Sequence, residues 1–407
     1  MAVACRLCHS TAGEKFLDLG TVPLANALLA PGAAAEEARF PLGLWFCESC
    51  FLVQLTDVVV PEKLFANYVY VSSISQQWLK KCEQYASRIR TRLGLDDRSQ
   101  VVEIGSNDGC LLRFFQRDNI PVLGVEPATD IAREAIENGV PTETVFFGAK
   151  TAGRLSETHA ADLIVANNVF AHAPDLHDFV QGLAILLKPG GTITVEVPHL
   201  QRMLEELQFD TIYHEHVYYF SLHSIEAALS RYGLAVYDAE AIPSHGGSLR
   251  IYAAHQSARF DASPNIEAIR RAELEAGLAH LETYRRFAAA VHITIGKLRR
   301  FFSQAAVERK RIVGYSAAAK GVTLLNCVDP GPAALDYVVD LSPRKQGLRL
   351  PGTHSMIYSP ERVFATKPDY LLLLAWNLRE EIMEQMKDVR SWGCKFVVPV
   401  PEPTILA

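Results

Sequence analysis

The densest group of side chains able to move a proton is the run Asp210-Thr-Ile-Tyr-His-Glu-His-Val-Tyr-Tyr-Phe-Ser221. Aromatic and aliphatic residues flank its histidines, tyrosines and carboxylate and predict burial, and a buried ionisable group costs free energy unless it is paired or used. Tyr213 and His216 lie three positions apart, so one helical turn aims both at a single point. Glu215 beside them is placed to hold an imidazole in one tautomer and raise its basicity. The competing reading, a surface turn with incidental polar residues, is disfavoured by the flanking aromatics. A second imidazole, His172, ends the run Asn168-Val-Phe-Ala-His172 and should hang over the site formed at the carboxyl end of the preceding strand. A lone histidine there is as readily a structural residue. In Asn67-Tyr-Val-Tyr-Val-Ser-Ser73, Tyr68 and Tyr70 either reach the same region or pack at a domain seam.

These groups need elements to bring them together. Val101-Val-Glu-Ile-Gly-Ser-Asn-Asp-Gly109 reads as a short buried strand, a glycine turn and the approach to a helix. Gly105 and Gly109 let backbone N–H groups come close to a ligand. One strand later, Val122-Leu-Gly-Val-Glu126 ends in the acid that a doubly wound sheet uses to hold a ribose. A dinucleotide loop needs Gly-x-Gly-x-x-Gly, and Asn107 and Cys110 stand where its second and third glycines belong. Glu103-x-Gly105-x-x-x-Gly109 instead fits the loop of a class I S-adenosylmethionine (SAM) methyltransferase; an ordinary strand-to-helix turn is the bland alternative. The periodicity predicts a helix over 128–138, strands over 144–147 and 161–168, a helix over 178–187, and a strand over 192–197 after the Lys188-Pro-Gly-Gly191 turn. An antiparallel pair, 235–242 and 248–254, follows around Ser244-His-Gly-Gly-Ser248. Ligands sit outside the carboxyl ends of such strands, which selects Gly105–Gly109, Glu126, Asn167, Asn168 and the segment after Val197.

Composition excludes several classes. A chain of 407 residues, 49% hydrophobic, suggests two or three domains with full cores. A net charge of −6 offers no basic field for a polyanion, so no nucleic-acid partner is expected. No apolar run approaches membrane-spanning length, and the N-terminus lacks a signal-peptide core, so the expected location is cytoplasmic, with no membrane partner. The eight cysteines should then be thiols or metal ligands. Cys5-x-x-Cys8 and Cys47-x-x-Cys50 offer four thiolates in two close pairs, the pattern of a structural tetrahedral zinc site with no open position. A redox pair is the weaker alternative. Cys82, Cys110, Cys327 and Cys394 are scattered and read as buried thiols.

The last third repeats the architecture. Residues 265–307 are rich in Ala, Leu, Glu and Arg and predict long helical structure. Ile312-Val-Gly-Tyr-Ser-Ala-Ala-Ala-Lys-Gly-Val then restates strand, small-residue turn and helix, and strand-like segments at 336–340, 370–376 and 395–398 complete a second Rossmann-like domain. Backbone groups over Ser316–Gly321, with Lys320, suit a diphosphate; a solvated lysine on a plain turn is the alternative. The expected fold is therefore α/β. It has a four-cysteine zinc-binding domain over 1–64, a class I SAM methyltransferase domain over 65–258 (65–98 a helical lead-in), and a helical connector with a second Rossmann-like domain over 259–407.

Taken in order, the zinc knuckles, Glu-Ile-Gly-Ser-Asn-Asp-Gly, Asn-Val-Phe-Ala-His, Tyr-His-Glu-His and His-Gly-Gly-Ser-Leu-Arg resemble the zinc-containing sugar C-methyltransferases of antibiotic deoxysugar pathways. Those enzymes methylate a nucleotide-linked 4-keto-6-deoxyhexose at carbon. The resemblance implies SAM and structural zinc as cofactors, His216 as base with Tyr213 and Glu215 beside it, His172 as a further polar group, and Tyr70 or Tyr68 near the sugar. It assigns His245, Lys320, Gly321, Asp340 and Lys345 to the dTDP-sugar side. The chemistry agrees: carbon α to a ketone becomes a nucleophile only on losing a proton, which requires a base and a donor for the enolate oxygen. Two rivals stay open at this point, a zinc-ribbon RNA methyltransferase and a non-catalytic SAM-binding protein. Oligomeric state, a monomer included, is not legible.

Overall fold

The computed structural model describes residues 3–32, 37–65, 69–258, 260–331 and 334–406. Tyr68 lies outside them. Three sheets organise these residues. The first is antiparallel, with strands Gly13–Pro23, Arg39–Cys47, Val53–Leu55 and Tyr218–Tyr219 in that order. Its fourth strand comes from the polar run at 210–221, so the N-terminal unit does not close on itself. The second sheet has seven strands, in the order Leu234–Ile242, Ser248–His255, Leu187–Pro198, Ala161–Asn167, Val101–Ile104, Val122–Val125, Thr142–Glu143. All are parallel except Ser248–His255, which is antiparallel to both neighbours. The third has six strands, ordered Ile357–Tyr358, Tyr337–Val339, Ile312–Tyr315, Tyr370–Leu373, Lys395–Val398 and the antiparallel Thr404–Leu406. In both large sheets the first strand in sequence, Val101–Ile104 or Ile312–Tyr315, sits where the strand order reverses. That is the crevice where doubly wound sheets bind ligands.

Local sequence explains the helices that frame these sheets. Gln76–Leu93 starts where the Ser75 hydroxyl accepts the Trp78 N–H at 3.2 Å and stops at Gly94 in the left-handed region. Leu281–Val307 spans 27 residues and buries Tyr284, Phe287, Val291, Ile295, Leu298 and Phe302, an apolar stripe at three- and four-residue spacing. One end of the stripe stacks Tyr284 on Phe46 of the first sheet, with ring centroids 4.4 Å apart. The other runs under the third sheet, so these two sheets share one continuous core.

Two details depart from the sequence reading. The third strand of the middle sheet is Thr142–Glu143 rather than 144–147. It begins directly after Pro141, and Phe147 is drawn out of the sheet to meet Phe179 edge-on at 5.2 Å. The Lys188-Pro-Gly-Gly191 segment is not a turn before a strand but a bulge within Leu187–Pro198, where the register jumps from Ala161↔Leu187 to Leu163↔Thr192. Among the described residues, no helix is long and apolar enough to cross a membrane.

The sulfurs of Cys5, Cys8, Cys47 and Cys50 all lie within 4.8 Å of one another, with Cys5–Cys50 at 3.4 Å and Cys8–Cys47 at 3.5 Å. Four thiolates at about 2.3 Å from a tetrahedral zinc stand about 3.8 Å apart, so the cluster fits the ion closely. Purified protein should carry about one zinc per chain, and Cys47→Ser should bring the content close to zero with a lowered melting temperature. Metal analysis finding no zinc, with all four thiols titrating freely in the folded protein, would contradict the site.

Candidate active site

A cavity of about 780 Å³ lies between the carboxyl ends of the parallel strands of the two large sheets and is walled by residues from all three units. On the middle-sheet side, Gly105 has φ +67°, and a Cβ there would come within 2.9 Å of Val169. Only glycine fits that approach. Glu126 ends its strand buried, accepting the Asn107 N–H at 3.0 Å on Oε2 and the Ala128 N–H at 2.8 Å on Oε1. Burial raises its pKa and the two backbone donors oppose that rise. Each oxygen keeps acceptor capacity, as two ribose hydroxyls require. Asn167 Oδ1 is buried in the same wall with no hydrogen-bond partner among the described residues, and so can accept from a polar ligand atom. The site therefore fits SAM: Glu126 for the ribose, Asn167 for a donor, and the Gly105 loop for close backbone approach.

Other residues assigned to this ligand sit differently. Asn107 spends its side chain on protein: Oδ1 accepts the Ser72 N–H at 2.9 Å and Nδ2 donates to the Tyr70 carbonyl at 3.1 Å. It thus fastens the lead-in segment, with Tyr70 at the cavity mouth, over the loop. Asn168 lines the cavity in the left-handed region, its N–H held by the Glu196 carbonyl at 2.7 Å. Glu103 and Gly109 do not line the cavity. Glu103 is buried behind the loop, where desolvation, with Cys110, Asp108 and Glu126 nearby, holds its pKa well above the usual range. Gly109 packs against Val140.

The polar run forms a strap across the cavity floor. A short helix, Phe209–Thr211, leads into a turn closed by the His216 N–H on the Tyr213 carbonyl at 2.9 Å, and the strand Tyr218–Tyr219 follows. His216 Nδ1 lies 2.8 Å from the Thr211 carbonyl, which can only accept. Nδ1 therefore carries the proton and Nε2 the lone pair, which receives the Tyr213 hydroxyl at 2.9 Å. The His172 ring stands 5.1 Å from the His216 ring, centroid to centroid. Burial keeps both imidazoles neutral, lowering the pKa of His216 well below the usual value and that of His172 to about 4. Burial also holds the Tyr213 hydroxyl protonated.

Glu215 requires a correction. It lines the cavity but does not orient His216; the Thr211 carbonyl does that. Glu215 Oε1 instead accepts the Asn26 side-chain N–H at 2.7 Å, across from the N-terminal unit, and burial pushes its pKa up to about 7. His214 turns away from the cavity to the Pro41 carbonyl at 3.2 Å. Asn26 and Thr211 were missed as site residues. Asn26 does end the apolar run Pro23-Leu-Ala, a local signal, whereas a backbone carbonyl leaves none.

The opposite wall belongs to the C-terminal domain. Asp340 ends the strand Tyr337–Val339 and accepts the Ala317 N–H at 2.7 Å and the Ser342 N–H at 2.8 Å, the same pattern that Glu126 shows across the cavity. Lys345 Nζ braces that turn through the Ala317 carbonyl at 3.0 Å. Lys320 lines the cavity, donating to the His245 carbonyl at 2.9 Å, with the His245 ring 5.3 Å from Trp78. Burial lowers the His245 pKa to about 4. Gly321 does not line the cavity; a Cβ there would meet Leu374 at 2.5 Å, so it serves helix-to-strand packing.

Three family models match successive stretches of the chain. Residues 5–65 match the model of a zinc binding domain, 78–239 a methyltransferase domain, and 243–401 a C-methyltransferase C-terminal domain. C-methyltransferase NovU of Streptomyces niveus is 36% identical over 405 residues, covering 99% of this chain and 96% of that protein. A ubiquinone biosynthesis O-methyltransferase of Rhodopseudomonas palustris (strain BisB18) is 27% identical over 130 residues, 32% of this chain and 50% of that one. A solved SAM-dependent methyltransferase from Aquifex aeolicus superposes with TM-score 0.32 at 14% identity, covering 43% of this chain and 97% of that one. The O-methyltransferase likeness is confined to a third of the chain, while the likeness to NovU runs through the zinc unit, the strap and the second Rossmann-like domain alike. With that extent of identity, the chain belongs to the zinc-containing, SAM-dependent C-methyltransferases.

Proposed function

We propose that this C-methyltransferase acts on carbon α to the ketone of a dTDP-4-keto-6-deoxyhexose, at C-3, with His216 as the base. The observation that carries the reading is the hydrogen bond from His216 Nδ1 to the Thr211 carbonyl, which leaves the lone pair on Nε2, where the Tyr213 hydroxyl meets it at the cavity wall. SAM supplies the electrophilic methyl group. His216 Nε2 takes the α proton, and the electron pair moves into the enolate. The Tyr213 hydroxyl, a rotor free to leave Nε2, donates to the enolate oxygen as charge develops. His172 shields the same point from water and steadies the sugar. An O- or N-methyltransferase would manage with positioning and one base, so the dyad favours carbon methylation.

The nucleotide end of the reading rests on the C-terminal wall. The Ser316–Lys320 turn and the Asp340–Lys345 brace stand where a second doubly wound sheet takes a ligand, facing Glu126 across one cavity. A sugar linked to a nucleotide held there would reach the strap between them. An RNA substrate is disfavoured by the net charge of −6.

Incubation with SAM and a panel of dTDP-4-keto sugars, with mass detection, should show methyl addition at carbon; methylation of a hydroxyl or amine would overturn the mechanism. His216→Asn should retain both ligands and lose about 10²–10⁴ in methyl transfer. A near wild-type rate would move the base elsewhere. The pH profile separates His216 from Glu215. A base must be deprotonated, so activity falls as pH drops through its folded pKa. For His216, depressed by burial, the acid limb of kcat/KM should lie below about 6.5. A limb near 7 would instead point to Glu215, whose pKa burial pushes up to about 7. In calorimetry, Glu126→Ala should weaken binding of S-adenosylhomocysteine and spare dTDP. Lys320→Ala should do the reverse, at about 1–3 kcal/mol. Unchanged dTDP affinity in Lys320→Ala would remove the lysine from the nucleotide site.

A further inference from the structure

The first turn of the strap faces two ways. The Thr211 carbonyl holds His216, while the adjacent Asp210 carboxylate points into the C-terminal domain and accepts the Trp376 indole N–H on Oδ2 at 2.6 Å. Asp210 has no exposed surface, and its Oδ1 has no hydrogen-bond partner among the described residues. Trp376 lies just past the carboxyl end of Tyr370–Leu373, in the short helix Trp376–Leu378, and its ring also carries Lys320 Nζ at 5.0 Å from the centroid. A carboxylate in this setting is expensive: an apolar pair of the same shape would pack the seam without desolvating a charge. What the polar pair adds is direction, since one short charge-assisted bond fixes the rotation of a three-residue turn that hydrophobic contact would leave loose.

We propose that Asp210 is the positioning residue of the catalytic histidine: fixed by the Trp376 indole, it sets the turn whose Thr211 carbonyl holds the Nδ1 proton. His216 is thereby aimed by the docking of the C-terminal domain onto the strap. This rests on the reading of His216 as the base, and the test separates the two.

The experiment uses the full chain with ¹⁵N-labelled histidine and bound S-adenosylhomocysteine, with His216 assigned by comparison with His216→Asn. In wild type the His216 ring nitrogens should report the Nδ1–H tautomer. Trp376→Phe keeps an aromatic face under Lys320 and removes the indole N–H together with part of the ring's volume. It should convert His216 to a mixture of tautomers and lower kcat about 10- to 100-fold, with KM and S-adenosylhomocysteine affinity within about twofold. Asp210→Asn retains an acceptor for the indole and should recover most of the rate that Asp210→Ala loses. Trp376→Phe should cost nothing further in the Asp210→Ala background, because the two act through one bond. An unchanged tautomer in Trp376→Phe overturns the proposal. So does a loss shared equally by ligand affinity, melting temperature and rate, which would make the bond merely structural. A shifted tautomer combined with a fully active His216→Asn upholds the positioning and sinks His216 as base.

Discussion

One backbone carbonyl decides what this cavity can do. Thr211 accepts from His216 Nδ1, and the proposed proton transfer uses the lone pair thereby left on Nε2. Without that bond an imidazole in an apolar pocket would divide between tautomers, and many molecules would present an N–H where a base is needed. The carbonyl belongs to a three-residue turn too short to hold its own geometry. The surrounding units hold it: the N-terminal sheet takes Tyr218–Tyr219 as its last strand, Asn26 fastens Glu215, and Trp376 fastens Asp210. The strap is therefore a shared element of three units, the cysteine-clustered N-terminal sheet among them.

The two Rossmann-like sheets face each other with matching acids. Glu126 and Asp340 each end a second strand, and each accepts one N–H from the preceding strand-to-helix turn and one from the residue two positions on. The same turn geometry thus produces two pre-organised carboxylates, on opposite walls of one cavity, from unrelated local sequences. Between them the His172, His216 and Tyr213 rings remain uncharged because burial disfavours their ionised forms.

Much of this was legible in the sequence where the information is local. Period-two and helical spacing located Val101–Ile104, Gln76–Leu93 and the antiparallel pair around His245, and the cysteine spacing pointed to a cluster whose sulfurs do converge. The third strand was misplaced because the β-rich Val145-Phe-Phe147 has a better partner off the sheet, in Phe179, than on it. Site assignments by motif also overreached. Glu103, Gly109 and Gly321 belong to the right loops but do not line the cavity, and the two glycines pack against Val140 and Leu374. What spacing could not reveal is long-range and polar: Asn26 finds Glu215 across 189 positions, and Asp210 finds Trp376 across 166. The carbonyl that holds His216 in one tautomer has no side chain to read at all.

In the proposed mechanism His216 Nε2 removes a proton from carbon before any methyl group moves, and isotope exchange addresses this step alone. In deuterated buffer, with S-adenosylhomocysteine in place of the methyl donor, wild type should wash deuterium into the α position of a dTDP-4-keto-6-deoxyhexose without turnover, and His216→Asn should not. Exchange at an undiminished rate in His216→Asn would show that another group takes the proton.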